Sequence, residues 1–284
     1  MTLFHYPETN PVIFSLGPIT TNWYGLWFEA GFLVATLYSV WLCRKNSPPV
    51  RADQMKALVF FGFVTVLAGS RSGYFLSQPA YLFSADPFAV LRFWEGGTSF
   101  YGGLAAAGLF LAGYARLKKI DWFRLTDSVA PLGFITAMSA AAGDMSNGVH
   151  WGSVSLSVPW AVLFPLSGCQ DALLASVCPL YREWLQVHEY SVLPRHPLQI
   201  YEFILGCIFT LVIGLTARFR ISRPGFITGQ FLILAGLYKG ITLVVYAEAV
   251  PVDGVLQLLA ATGSSGVGLI LMLRNRRSEK MLCV

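Results

Sequence analysis

Seven runs of predominantly apolar residues divide this chain, at 22–43, 56–77, 99–116, 126–143, 198–217, 226–247 and 254–273. Runs of ~20 such residues cross a ~30 Å hydrocarbon core as helices, and helices satisfy their own backbone polar groups in lipid. A mean hydropathy of +0.58 and only 12% charged residues, against ~25% in soluble chains, exclude a soluble domain of this length. The reading is an all-α polytopic membrane protein, seven transmembrane helices in one bundle over residues 1–284. The third and fourth runs are Gly/Ala-rich and the least hydrophobic, so they are expected to line the interior.

Lys and Arg in the loops set the orientation, because positive residues stay on the cytoplasmic side. One set of loops carries 15 of them, in clusters at 44–56, 116–124, 218–223 and 274–280; the other carries only Arg92, Arg182 and Arg195. The amino terminus is therefore expected outside and the carboxyl terminus in the cytoplasm. This asymmetry accounts for the formal charge of +5, so no nucleic-acid partner is needed. Residues 1–20 lack a basic n-region, so no cleavable signal peptide is expected, and Pro7, Pro11 and Pro18 suit an extended or surface-lying segment.

The one long connection, 144–197 between spans four and five, reads as a small outer (periplasmic) cap, since loops of this length usually carry function. It holds Cys169 and Cys178, for which the residues leave a disulfide and two free thiols both open. None of the cysteines has metal-ligand spacing, so neither metal nor cofactor is expected. Small-xxx-small pairs at Gly69/Gly73, Gly225/Gly229 and Gly236/Gly240 are assigned to close helix packing. The absence of an internal repeat argues against a transporter.

An ionised group within a span costs at least ~2.5–3.5 kcal/mol on insertion scales, which makes each one a site candidate. Asp127, at the inner start of span four, is explained as a helix-terminal anion. Arg71 and Lys239 lie away from helix ends, and two cations facing one cavity need an anion between them. A phosphate gripped by Arg and Lys fills that need; a carboxylate, Glu29 or Glu202, is the alternative. The expected outer ends add Tyr24, Tyr101, Asp144, Asn147, His150, Arg195, His196, Gln199 and Tyr201, while Gly102 and Gly103 would let a ligand approach the backbone. Asp144, Asn147 and His150 share a helical face if the helix continues that far. Together these residues describe a polar cavity for a lipid headgroup.

At these residues the chain resembles the prolipoprotein diacylglyceryl transferases of bacteria. The likeness runs through "NPVIFSLGPITTNWYGLWFEAGF", "GSRSGYFL", "FWEGGTSFYGGLAAAG", "NGVHWG", "AVLFP" and, most specifically, "VLPRHPLQIYE". The resemblance implies a multi-pass protein of the bacterial cytoplasmic (inner) membrane. It implies transfer of diacylglycerol from phosphatidylglycerol to a prolipoprotein cysteine, with release of glycerol phosphate. It also implies that Arg71, Tyr24, Asn147, Gly102, Gly103, Arg195, His196, Gln199, Tyr201 and Glu202 handle the phospholipid and its phosphate.

The likeness breaks at the positions that the family gives to catalysis. Tyr101 stands where the family has His, Ala141 and Lys239 where it has Arg, Asp144 where it has Asn, and Val149 and Leu243 where it has Glu. Tyr101, Asp144, His150 and Lys239 are then the catalytic candidates. Three readings follow: a divergent lipid-dependent transferase acting on a cysteine or another acceptor, a non-catalytic lipid- or lipoprotein-binding accessory protein, and an ordinary prolipoprotein transferase. Loss of Arg at Ala141, and of a second Arg softened to Lys239, removes phosphate stabilisation, which counts against the third.

Overall fold

A computed structural model describes residues 4–7, 10, 12–16, 19–46, 49–77, 90, 98–219, 224–246 and 252–280. Short strands β1 (Phe4–His5), β2 (Val12–Leu16) and β3 (Ile19–Asn22) precede the helices α1 (Trp23–Asn46), α2 (Ala52–Ser77), α3 (Phe100–Lys118), α4 (Trp122–Val129) and α5 (Gly133–Asn147). After the cap come α8 (Leu198–Phe219), α9 (Phe226–Tyr246) and α10 (Val252–Lys280). The cap itself contains β4 (Val162–Leu163), α6 (Gly168–Val177), α7 (Pro179–His188) and β5 (Pro194–Arg195). The described residues of the apolar runs are mostly helical. By length and composition α1, α2, α8 and α9 are apolar enough to cross a membrane, and α10 carries a shorter apolar stretch, Gln257–Leu273. Exposed apolar side chains such as Leu37, Leu109, Leu117, Leu211 and Val244 cover the outside of the bundle, a surface suited to lipid.

The fourth run is not one continuous helix. Its sequence "SVAPLG" places Pro131 inside it, and a 3-10 turn over Ala130–Leu132 separates α4 from α5. Proline supplies no N–H and disfavours helical backbone just before it. Asp127 consequently sits late in α4, where it accepts bonds from Gly225 N (2.6 Å) and Thr228 N (2.7 Å). It caps α9 across the bundle instead of its own helix, which Asp121 caps. An anion on unsatisfied N–H groups is the expected physics, applied to a different helix.

Close packing follows the small residues. A Cβ on Gly102 would lie 2.6 Å from Gly69 O and 2.9 Å from Gly73 Cα, so α2 and α3 touch backbone to backbone. A Cβ on Gly103 would strike Ser70 Oγ. Gly102 and Gly103, expected at a ligand, are thus filled by the helix contact. Gly229 and Gly236 likewise face α10, whereas Gly240 has open space around it. Overpacking costs ~1–3 kcal/mol, so Gly102→Leu is expected to lower the melting temperature of the detergent-purified protein by several degrees. Gly113→Leu, in the same helix but with nothing within 4 Å, should leave the melting curve in place.

The cap begins where α5 stops. Gly148, at φ +63°, is the left-handed residue that ends the helix. His150 therefore leaves the helical face of Asp144 and Asn147, adopts φ +61° and stacks on Tyr246 at 5.4 Å. The expected shared face ends at Asn147. β1 pairs in parallel with β4, and β4 antiparallel with β5, so the amino-terminal strand is stitched into the cap. β2 and β3 form a hairpin that delivers the chain to α1, whose first turn is capped by Asn22 Oδ1 on Gly25 N at 2.8 Å. Cys169 and Cys178 are both free thiols.

Candidate functional site

Charged groups from three helices meet at the cap end of the bundle. Lys239 projects from the second half of α9, and its Nζ lies 3.6 Å from Glu202 Oε1 near the start of α8. Phe100 and Tyr238 present their rings to the ammonium at 5.3 and 5.5 Å. Asp144, on the last turn of α5, is within electrostatic reach of both Glu202 and Lys239. Tyr24 feels both carboxylates. It can lie against α5 because position 143 is glycine: a Cβ there would meet the Tyr24 ring at 2.6 Å.

A second polar centre holds the cap. Asp171 of α6 is fully buried and Arg195 of β5 is 1% exposed. Asp171 Oδ1 accepts from Arg195 Nε (2.9 Å) and Nη2 (2.5 Å), while Oδ2 accepts from Ser167 Oγ (2.5 Å) and Leu193 N (2.9 Å). Arg195 Nη1 donates to Gly152 O at 3.0 Å. Main-chain bonds carry this tether onward, from Gly152 N to His196 O and from Ser153 N to Val245 O. Arg195, expected at a phosphate, spends its guanidinium on fastening the 148–155 loop and the end of α9 to the cap.

Tyr201 and His196 make a rim beside it. The indole N–H of Trp160 donates to Tyr201 Oη at 2.6 Å, and the same oxygen lies 3.1 Å from His196 Nδ1. Burial lowers the His196 pKa below its ordinary value. Gln199 donates its amide to Val149 O at 2.5 Å. Tyr6 Oη to Met145 O (2.5 Å) and Trp27 Nε1 to Ser146 Oγ (2.8 Å) fix the same end of α5 from the other side.

The other expected residues have these surroundings. Arg71 is buried on α2, its guanidinium 4.8 Å from the Phe75 ring centroid, with Nε donating to Val90 O at 3.4 Å. Glu202, the alternative raised from the sequence, is the carboxylate against Lys239. Glu29 is exposed on α1. Tyr101 turns its hydroxyl toward Ser264 of α10 without a well-formed bond, and Phe100 takes the place beside Lys239. Arg92 lies outside the described residues. Sequence reasoning missed Asp171, Phe100, Trp160 and Tyr238. Only Asp171 had a signal: a buried Arg195 demands a carboxylate. Among the described residues no three His, Cys, Asp or Glu side chains group in a way that would hold a metal ion.

This arrangement stands on a chain with many sequence relatives. The family model described as prolipoprotein diacylglyceryl transferase matches residues 11–262. The chain belongs to this family. It is 37% identical over 235 residues to a phosphatidylglycerol–prolipoprotein diacylglyceryl transferase of Serratia proteamaculans, covering 82% of this chain and 80% of that protein. A like-named protein of Erwinia tasmaniensis is 36% identical over the same span. One from Escherichia coli is 37% identical over 241 residues, 83% of this chain and 80% of the relative. Four membrane-length apolar helices in a member of this bacterial family make it a multi-pass protein of the cytoplasmic membrane. Ala141 is 1% exposed, and Val149 contributes its carbonyl to Gln199.

Proposed function

We propose that this protein transfers the diacylglyceryl group of phosphatidylglycerol to the cysteine of a prolipoprotein, with a charge arrangement that departs from its relatives. The whole chain forms one membrane domain of seven spans, with residues 1–20 and the cap outside and the carboxyl terminus in the cytoplasm. The positive residues of the opposite loops support this orientation. In the reaction the cysteine sulfur attacks the glyceryl carbon, the carbon–oxygen bond to phosphate breaks, and glycerol phosphate leaves with the bonding electrons. The thiol proton must be removed, since the thiolate is the nucleophile.

The observation that carries this reading is the Asp144–Glu202–Lys239 cluster. Asp144 takes the thiol proton, with His150 and Tyr101 further away in role. Lys239 opposes the negative charge that develops on the departing phosphate. Arg71, Tyr24, Asn147, Gln199, His196 and Tyr201 shape the headgroup site, and Arg195 acts through the cap. The test uses purified protein, phosphatidylglycerol radiolabelled in its acyl chains, a peptide with the acceptor cysteine, and the same peptide with serine in its place. Label on the cysteine peptide alone is the expected result. Label on a different acceptor in membrane extracts would redirect the proposal to another substrate.

A second reading, a non-catalytic lipid- or lipoprotein-binding accessory protein, is favoured by one observation. Ala141 is packed to 1% exposure and Val149 and Leu243 are apolar, so the family's Arg and Glu have no stand-in there. Lipid bound but never consumed, with or without extract, would establish this reading and remove the first.

A further inference from the structure

α3 ends far from the cap. Its first residue, Phe100, lies against Lys239, and its 19 residues at ~1.5 Å each carry it about 27 Å further, close to one hydrocarbon thickness. Leu109 and Leu117 are exposed along the way. Where α3 stops, an open cavity of about 450 Å³ is lined by Ala112, Ala115, Arg116, Lys119, Ile120 and Trp122. Its wall is amphipathic: three alkyl side chains and an indole stand beside two cations. Neither Arg116 nor Lys119 has an ion-pair partner among the described residues. The neighbouring Lys118 and Arg124 are cations as well. The acid between them, Asp121, turns its Oδ1 to Arg124 N as the cap of α4.

The stop of α3 falls on Lys119, at φ 55° and ψ 40°, with its N–H bonded to Arg116 O. Glycine takes such a left-handed position without steric cost. The chain keeps a strained lysine there instead, and its side chain lines the same cavity as that of Arg116. Two unpaired cations over an apolar hollow at a membrane surface suit an amphiphilic anion, because Arg grips a phosphate bidentately and Lys as a point charge. Trp122 belongs at headgroup depth, where indole rings are favoured. A soluble phosphate would use the cations alone and leave Ala112, Ala115 and Ile120 to water. We infer that this cavity holds the headgroup of an anionic phospholipid, a resident lipid of the leaflet opposite the cap. This lipid is neither donor nor product of the transfer reaction, whose charged cluster lies at the other end of α3. Naming that leaflet cytoplasmic rests on the orientation proposed above; nothing in the site rests on turnover.

The test is native mass spectrometry of the whole protein with added cardiolipin or phosphatidylethanolamine, read beside thermal unfolding in the same detergent. Wild-type protein is expected to retain cardiolipin about tenfold over phosphatidylethanolamine, which has no net charge, and to melt several degrees higher with it. Arg116→Gln with Lys119→Gln should lose at least about tenfold in cardiolipin affinity, since each membrane-facing cation counts for about fivefold. Lys118→Gln with Arg124→Gln removes the same charge from the same end but no residue of the cavity, and should keep most of the affinity. Lys119→Gly controls for folding: glycine relieves the strained stop, so the lipid-free melting temperature should hold or rise while the gain from cardiolipin falls. Equal losses in the two double variants would reduce the attraction to a diffuse basic surface and overturn the site. No preference in wild type would overturn it too. So would equal stabilisation by inorganic phosphate, which would make the occupant a free anion. Transfer to the cysteine peptide is assayed on the same samples; its absence in wild type would strike the transferase reading and leave this one standing.

Discussion

Arg195→Met is expected to destabilise the protein by about 3–5 kcal/mol, the cost of leaving one member of a buried ion pair without the other. The carboxylate of Asp171 would then be held by Ser167 Oγ and Leu193 N alone, at a site with no exposure to water. Asp171→Leu should cost a similar amount through the stranded guanidinium. The double variant removes both charges and should recover most of the loss, giving a large non-additive coupling. Thermal unfolding of the four proteins in one detergent measures this. Single variants that lose no more than the ~1 kcal/mol of an exposed pair would show that the cap is held by its apolar contacts instead. The damage should reach beyond the cap, because Arg195 Nη1 also ties down Gly152. Gly152 and Ser153 connect that tether to His196 and to Val245 at the end of α9.

What the sequence made legible follows the range of the forces involved. The apolar helices could be placed because hydropathy is summed over twenty residues and tolerates local error. The stop at Gly148 was equally local: glycine after the last helical residue is a helix-ending signal, and it removes His150 from the face of Asp144. The break at Pro131 was also written in the sequence, but an apolar run says nothing about continuity of the helix within it. Pairings across the fold were harder to read. Asp171 and Arg195 are 24 residues apart in a segment without periodicity, so the arginine could be named but not its partner. Phe100 and Tyr101 are neighbours pointing about 100° apart on one helix, and hydropathy cannot choose which of them faces Lys239. Gly102 showed the same limit, since a glycine that admits a ligand and one that admits another helix look alike until α2 is in place.

The charged cluster gives the largest effect on activity. Lys239→Met is expected to reduce diacylglyceryl transfer by ~10²–10³, the usual loss when one well-placed stabilising group is removed from a low-dielectric site. The loss should appear in kcat more than in KM, because the charge Lys239 opposes grows as the glycerol phosphate departs. Lys239→Arg should retain activity: the charge remains, and a guanidinium adds the planar fork that suits phosphate. Asp144→Asn keeps the shape and removes the proton acceptor, so it should lower kcat by a comparable factor without weakening lipid binding. Asp144→Asn combined with Lys239→Met should cost much less than the product of the two, since groups that act as a unit are not additive. Single-turnover assays with labelled lipid separate these outcomes from binding. Should Asp144→Asn turn over at the wild-type rate, the thiol proton leaves by another route and the cluster is only an ion pair between α8 and α9. If Lys239→Met changes KM alone, the ammonium binds the lipid but does not help to expel the phosphate. Both results together would assign the transfer to other groups and leave Glu202 and Lys239 the task of holding α8 against α9.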